Sequence, residues 1–492
     1  MAQPGHKDRL SAVDASFLAQ EKQSSHMHVG ALVIFDGPAP SRDEFRAHLA
    51  ARLRRVPRYR QKLAFPPLEA GRPFWVDDPN FNLDYHVRHT ALPQPGSEDQ
   101  LRELAGRIFS QRLDRSKPLW EIWIAHGLEG GRFALISKTH HALVDGVSGV
   151  DIATVLFDLS PVPAEPEPAE HWTPSPEPGD VDLVAEGVKG LIRTPFDLAG
   201  RAVGALQRPG ETIDRVREAA EGLGEVVWAG MNPAPDVPLN VEIGPHRRLR
   251  WVQSRLSDFK EVKNGLGGTV NDAVLAVVAG ALRRWLHDRG VRTQGVELRA
   301  LVPVSIRSED EKDSLGNRIA AMRGPLPVYV EDPVERLQVV REGMGQLKES
   351  KQALGAEVIA GLTDFAPPTL LAQASRLNFS TRLFNLIVTN VPGPQFPLYL
   401  LGREMEEIVP VAFLPENHAL AIAIMSYNGK VDFGLLADYD AMPDVDALAA
   451  HLEESLAELV AAARSAGKAS ARSNGRKKDG TPGSARKKTT TS

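Results

Sequence analysis

Residues 133–151 read FALISKTHHALVDGVSGVD, a stretch that changes character twice. Its first six letters, FALISK, are short and apolar and predict a buried strand. Its last letters set Ser148-Gly149-Val150-Asp151 ahead of an apolar run at 152–159, the pattern of a capping box opening a helix. Between the two stand His140, His141, Asp145 and Gly146. The histidines are therefore predicted at a strand end, in the turn before a helix, where catalytic side chains are commonly mounted. Adjacent side chains on extended backbone point opposite ways, so one histidine can face a cavity and the other the scaffold. An imidazole, with an unperturbed pKa of about 6.5, can take a proton from a hydroxyl and return it. Asp145 could orient a ring or fix the turn through an ion pair, and Gly146 supplies backbone freedom. Two ordinary polar loop residues would give the same letters, and that reading stays open at this point. A metal site is not expected: the HHxxxD spacing lacks the i, i+4 histidine pair of a helical zinc site.

The surrounding chain alternates strand and helix signals. Residues 28–36 (HVGALVIFD) predict a strand and residues 43–54 a helix. Residues 161–180 hold seven prolines and predict an exposed linker. Residues 181–230 show helical spacing broken by Gly and Pro, a helical connector. Beyond residue 239, Val274, Val277, Leu282, Trp285 and Leu286 predict a helix over 271–288, stopped by Gly290. Residues 298–304 and 385–389 read as strands. Residues 419–438 read as a β-hairpin whose turn, Asn428-Gly429, suits the positive φ of a type I′ turn. Residues 444–464 predict an amphipathic helix, and the stretch after it, nearly free of apolar residues, predicts disorder. The class is α/β or α+β. The expected division is a first domain at 1–160, linker and connector at 161–238, a second domain at 239–463 and a disordered basic tail at 464–492.

Composition narrows the function. The 492 residues are 42% hydrophobic and 25% charged, which fits a globular protein and excludes collagen, coiled coil and global disorder. The absence of cysteine excludes disulfides, thiolate zinc sites, iron–sulfur clusters and a cysteine nucleophile. The formal charge of −5 is an average: residues 464–492 hold nine Lys or Arg and one acid, a net +8, which leaves −13 on the body before them. An acidic body argues against a nucleic-acid binder. The N-terminus lacks the apolar core of a signal peptide. The longest apolar runs, at 273–282 and 419–425, fall short of the ~20 residues of a spanning helix. A nucleophile elbow is missing, because Gly146-Val147-Ser148-Gly149-Val150 lacks the last glycine. Phosphate-loop, HExxH and dinucleotide-binding patterns are missing too. What remains is histidine general-base chemistry without a covalent enzyme intermediate.

HHALVDG resembles the HHxxxDG signature of the chloramphenicol acetyltransferase-like superfamily. Further segments resemble, more narrowly, the bacterial wax ester synthase/diacylglycerol acyltransferase family. Residues 10–18 (LSAVDASFL) are similar to its LSxxDxxFL, Pro118-Leu119-Trp120 to its PLW, and Asn271-Asp272 to its ND pair. Pro303-Val304-Ser305-Ile306-Arg307, followed by Gly316-Asn317, is similar to PVSxR, and Asn390-Val391-Pro392-Gly393-Pro394 to NVPGP. Residues 238–240 and 244–248 resemble the actinobacterial branch.

The resemblance implies two chloramphenicol acetyltransferase-like domains joined by a helical connector, with the active site in a tunnel between them. It implies transfer of a fatty acyl group from acyl-CoA to diacylglycerol, giving triacylglycerol, or to a long-chain alcohol. Acyl-CoA is a co-substrate; no bound cofactor and no metal are expected. His141 is implied as the base, with His140 supporting the turn. Asp145 is expected in an ion pair with an arginine, Arg307 being one candidate. Asn271, at a helix start, is either an N-cap or a group that stabilises the oxyanion or the acceptor, with Gly146 beside it in that role. Trp120 is expected in the tunnel wall, and Asp14 and Phe17 at the strand–helix corner, as support. His26, His28, His86 and His246 are expected to be ordinary core or surface histidines. The basic tail reads as a solubilising tail or as a tether to an anionic membrane or lipid-droplet surface, each base contributing about 1 kcal/mol. A cytoplasmic protein peripherally bound to the inner membrane or droplets is expected, with no nucleic-acid partner. Two other readings stand beside triacylglycerol synthesis: a wax ester synthase, and a catalytically inactive droplet scaffold.

Overall fold

The computed structural model describes residues 8–67, 71–144, 155–163, 172–179, 232–305, 319–349 and 380–478. The first half runs β1 (Asp8–Arg9), α1 (Ala12–Gln20), β2 (His28–Phe35), α2 (Arg42–Arg52), β3 (Gln61–Ala64), β4 (Phe74–Asp77), α3 (Leu83–His86), β5 (Val87–Ala91), α4 (Glu98–Phe109), β6 (Trp120–His126) and β7 (Phe133–His140). The second half runs β8 (Arg247–Arg255), α5 (Leu256–Leu266), α6 (Val270–Asp288), β9 (Leu298–Ser305), β10 (Ile319–Leu326), α7 (Pro333–Glu349), β11 (Leu386–Pro392), β12 (Tyr399–Leu400), β13 (Arg403–Val411), β14 (Leu420–Tyr427), β15 (Lys430–Asp438) and α8 (Val445–Lys478).

Local chemistry explains several of these boundaries. Ser41 with Glu44, and Ser97 with Gln100, close reciprocal capping boxes at the starts of α2 and α4. The hairpin β14–β15 turns at Asn428 (φ 44°) and Gly429 (φ 82°), the positive-φ pair a type I′ turn requires. Helix α6 is apolar on every side because it is covered on every side: Ala273 to Leu282 are all buried. Among the described residues no single helix is long and apolar enough to cross a membrane.

Two six-stranded sheets organise the chain. The first has the order β12-β13-β2-β7-β6-β5, the second β10-β9-β11-β14-β15-β8. Strand β13, from the second half of the sequence, thus belongs to the first sheet. It pairs antiparallel with β2 from Val411 opposite Gly30 to Met405 opposite Phe35. The expected second domain at 239–463 is therefore interrupted at 399–411. The physical reason is an edge: without β13, the apolar strand β2 would present unpaired backbone to solvent. The crossing strand also touches the second sheet closely. A side chain at Gly434 of β15 would meet the Pro410 carbonyl oxygen at 1.9 Å, so only glycine lets the two backbones lie together.

Three other expectations change. The final helix does not stop near Arg464 but continues to Lys478, well into the segment expected to be disordered; Ala, Lys and Arg there are good helix formers even without an apolar face. Of the helix expected over 152–159, residues 152–154 lie outside the described residues, Val155 and Leu156 are helical, and Asp158 already pairs with Tyr399 as a β-bridge. In the expected exposed linker, residues 172–179 are strapped to the first half. Arg60 lies 5.0 Å over the Trp172 ring, the Ser175 N–H donates to Asp77 Oδ2 at 2.9 Å, and Lys62 pairs with Glu177 at 2.9 Å. The helical connector expected over 181–230 lies outside the described residues.

Candidate active site

Strand β7 extends past FALISK through Thr139 and His140, and His141 opens a short 3-10 turn, His141–Leu143. Three hydrogen bonds pin this corner. The His140 N–H donates to Leu119 O at 2.9 Å, the His141 N–H donates to Met27 O at 2.9 Å, and the Ala142 N–H donates to His140 Nδ1 at 3.0 Å. An Nδ1 that accepts a backbone N–H must be unprotonated, so neutral His140 carries its proton on Nε2. His140 is fully buried, and burial drives its pKa down to about 3.

The His141 ring is held between two phenylalanines. It stacks on Phe17 of α1 at a centroid distance of 3.9 Å and 24°, and meets Phe413 edge-on at 5.5 Å and 90°. Phe413 follows the crossing strand β13, so both halves of the sequence build the walls around this ring. Burial lowers the His141 pKa to about 4, which keeps the ring neutral at pH 7 and free to accept a proton.

Behind the turn lies a carboxylate that the sequence did not disclose. The Glu21 side chain is 1% exposed. It accepts from Arg115 Nε at 2.5 Å and lies 3.4 Å from Arg112 Nε, 3.6 Å from His28 Nε2 and 3.8 Å from His140 Nε2. Burial alone would raise its pKa, but hydrogen bonding to His28 and the Arg115 charge lower it to about 2. His28 faces His140 across the β2–β7 ladder, and its own burial brings its pKa to about 3. A second buried pair braces the same strand. Lys138 Nζ contacts Glu121 Oε1 at 2.5 Å and donates to the carbonyls of Ile108 and Gln111 at 2.8 and 2.9 Å. The one charged letter in FALISK was the available signal for it, since a lysine inside a buried strand needs a buried acid.

The remaining sequence candidates fall in different places. Asn271 is not the N-cap of its helix: the cap is Thr269, whose side chain accepts from the Asp272 N–H at 3.1 Å while Asp272 Oδ2 accepts from the Thr269 N–H at 2.8 Å. The letters Thr269-x-x-Asp272 spell that box, so the sequence held the answer. Asn271 Oδ1 instead accepts from Asn390 Nδ2 at 3.1 Å, joining the ND pair to the NVPGP segment. Trp120 is a core anchor rather than a tunnel wall. Its Nε1–H donates to Tyr59 O at 2.8 Å, and its ring stacks on His86 at 4.5 Å. Asp14 lies in the first turn of α1, where Ser11 Oγ donates to its Oδ2 at 2.6 Å and accepts from its N–H at 3.0 Å. His26, His28 and His86 are buried, and His246 is exposed. Asp145, Gly146 and Arg307 lie outside the described residues. Among the described residues, no three metal-ligating side chains are grouped.

Comparison with known proteins places this geometry. Residues 10–274 match the model of the wax ester synthase/diacylglycerol acyltransferase catalytic domain, and residues 315–460 that of the family's C-terminal domain. The chain belongs to the wax ester synthase/diacylglycerol acyltransferase family. It is an acyltransferase. A probable diacylglycerol O-acyltransferase of Mycobacterium tuberculosis, tgs1, is 33% identical over 468 residues, covering 92% of this chain and 96% of that protein. A second from that organism, tgs2, is 34% identical over 461 residues, covering 92% and 98%. The solved wax ester synthase/diacylglycerol acyltransferase from Marinobacter aquaeolei VT8 superposes with a TM-score of 0.64 at 30% identity, covering 93% of this chain and all of that one. The starter condensation domain of rhizomide synthetase shares the fold at 12% identity, with a TM-score of 0.55 and 93% and 94% coverage. The acyltransferase therefore shares the fold of both structures.

Proposed function

We propose that this acyltransferase moves a long-chain fatty acyl group from acyl-CoA to diacylglycerol, with His141 as general base. The observation that carries the reading is the neutral, phenylalanine-walled imidazole of His141 on a turn pinned by three hydrogen bonds. His141 takes the proton of the acceptor hydroxyl as its oxygen attacks the thioester carbonyl. The tetrahedral oxyanion collapses, the C–S bond breaks, and the CoA thiolate recovers the proton from His141. No acyl-enzyme is needed. Replacing His141 with Ala should lower the transfer rate about 10²–10⁴-fold. Near wild-type activity in purified His141→Ala protein would sink the assignment.

Asn271 is assigned, in this reading, to stabilising the oxyanion or the acceptor. Because Asn390 donates to its Oδ1, its amide N–H groups remain as donors. Asp145 is assigned to the turn through an ion pair with Arg307, and Gly146 to backbone donation beside it. The mycobacterial relatives named for diacylglycerol favour that acceptor. The Marinobacter enzyme, named for both activities, favours keeping wax ester synthesis as the second reading. A radiolabelled acyl-CoA assay offering diacylglycerol and hexadecanol side by side separates the two. Product from neither would move the reading to a droplet scaffold. The basic C-terminal segment is assigned to tethering on an anionic membrane or droplet surface. Vesicle sedimentation of full-length protein against a chain ending at Arg464 tests it, and equal binding rejects it.

A further inference from the structure

Glu21 takes no part in the proton transfers assigned to His141, yet it stands at one end of the segment that holds the base. It closes α1, where its N–H donates to Phe17 O at 3.1 Å. From there the chain runs to Met27, whose carbonyl holds the His141 N–H. This run is fastened to the second half of the sequence. Lys22 Nζ donates to both Glu416 carboxylate oxygens at 2.6 Å, Ser25 Oγ donates to the Leu414 carbonyl at 2.8 Å, and the Arg247 guanidinium donates to the Ser24 carbonyl. Met27 is buried and left-handed, at φ 51°. A residue with a side chain keeps that backbone only where its surroundings enforce it, and here the result is a carbonyl aimed at the base.

The Glu21 side chain is placed for histidines more than for arginines. Arg112 and Arg115 reach it with side chains 42% and 31% exposed, whereas its own is 1% exposed. A carboxylate that served only these two cations would sit with them in water, because burying a charge is costly. Its inner face instead meets two buried rings, with His28 Nε2 at 3.6 Å and His140 Nε2 at 3.8 Å.

The His140 ring is the link to the base. Its Nδ1 caps the turn His141–Leu143 by accepting the Ala142 N–H, so its proton sits on Nε2. That buried Nε2–H has no hydrogen-bond partner among the described residues. It faces the Glu21 carboxylate, beyond hydrogen-bond reach but close enough for a charge to act in a buried site. A negative charge on this side favours the proton on Nε2 and leaves the Nδ1 lone pair to the turn. The opposite tautomer would set an Nδ1–H against the Ala142 N–H, and the cap would be lost.

We propose that Glu21 is a positioning residue for acyl transfer: its buried carboxylate holds His140 in the Nε2–H tautomer, and His140 in turn caps the turn that carries His141. The inference rests on His141 being the base, but its spectroscopic test does not. Long-range proton–nitrogen NMR of full-length protein labelled with 15N-histidine reads the tautomer, with His140 identified by the signals lost in H140N. Wild type and E21D should show protonated Nε2, and E21Q a gain of protonated Nδ1. In steady-state transfer from palmitoyl-CoA to dioleoylglycerol, E21Q should lower kcat at least ~10-fold with KM within about 3-fold, and E21D should recover most of the loss. In H140N an amide oxygen accepts the Ala142 N–H with no tautomer to choose, so E21Q should there cost less than about 3-fold. Should H140N fail to fold, H140Q supplies the assignment and the spectra decide. An unchanged tautomer in E21Q, wild-type kcat in E21Q, or an equal loss in both backgrounds would overturn the proposal, the last two results being those of an acid that only braces the fold. Absent transfer in the wild type, with the tautomer still dependent on Glu21, would remove the proposed function and leave the link between Glu21 and the turn; transfer in the wild type with a tautomer indifferent to Glu21 would do the reverse.

Discussion

Two acids buried at the seam of the sheets give the sharpest stability test. Glu407 of β13 is 8% exposed and Asp432 of β15 is fully buried. Glu407 Oε1 and Asp432 Oδ2 are buried without a hydrogen-bond partner among the described residues. Burial, and for Glu407 the neighbouring Asp432 charge, raises both pKa values to about 7. The sign follows from linkage. Below about 4.5, Glu407 is protonated folded and unfolded, and it carries no penalty. Between about 4.5 and 7 the unfolded chain releases the proton while the folded one keeps it, so stability falls as pH rises. Above about 7 the penalty is constant, at about 3 kcal/mol.

Glu407→Gln removes the ionisation and keeps the shape. The variant should gain on the wild type as pH rises, by up to ~3 kcal/mol at pH 8.5, a Tm gain on the order of several degrees relative to its standing at pH 5. Thermal unfolding of both proteins at the two pH values measures this. The quantity that matters is the change with pH of the Tm difference, because an amide that packs imperfectly shifts both values alike. A difference that stays constant, or shrinks with rising pH, refutes the argument that an ionisable carboxyl is held protonated at this seam.

Three further outcomes are expected. The acid limb of kcat/KM should fall near pH 4 rather than 6.5, because His141 must be unprotonated and burial lowers its pKa to about 4; a limb at 6.5 would mean a solvated ring. Thr269→Ala should lose about 1 kcal/mol of stability as a lost cap, whereas Asn271→Ala should lower the rate on the order of 10²-fold at nearly unchanged Tm; matching stability losses in the two would return Asn271 to a structural role. Lys138→Met should cost about 3 kcal/mol, because Glu121 and two carbonyls lose a buried partner, and a neutral effect in urea unfolding would show the pair to be dispensable.

Local letters carried much of the fold. The strand–turn of FALISKTHH, the Asn428-Gly429 hairpin and the apolar helix from 271 each depend on neighbours within a few residues, and each stands where the sequence put it. What stayed hidden is non-local. Nothing in REMEEIVPV says that this strand leaves its own half to pair with β2, since pairing is chosen by which edge is open. Glu21 belongs to no motif in the sequence; only the fold brings Arg115, His28 and His140 around it.

These hidden features bear on the proposed chemistry. With its pKa near 4, the His141 imidazolium is penalised by about 3 kcal/mol relative to a solvated ring. Complete protonation before bond formation would therefore be uphill. The same low-dielectric surroundings would strengthen the attraction between an imidazolium and an oxyanion formed beside it. Proton transfer is thus favoured when it accompanies attack on the thioester, and disfavoured when only water stands near the ring. Phe413, delivered by the crossing of β13 into the first sheet, is one of the two rings that pack against His141. On the proposed mechanism, the strand that closes the sheet edge also delivers a ring that packs against the base.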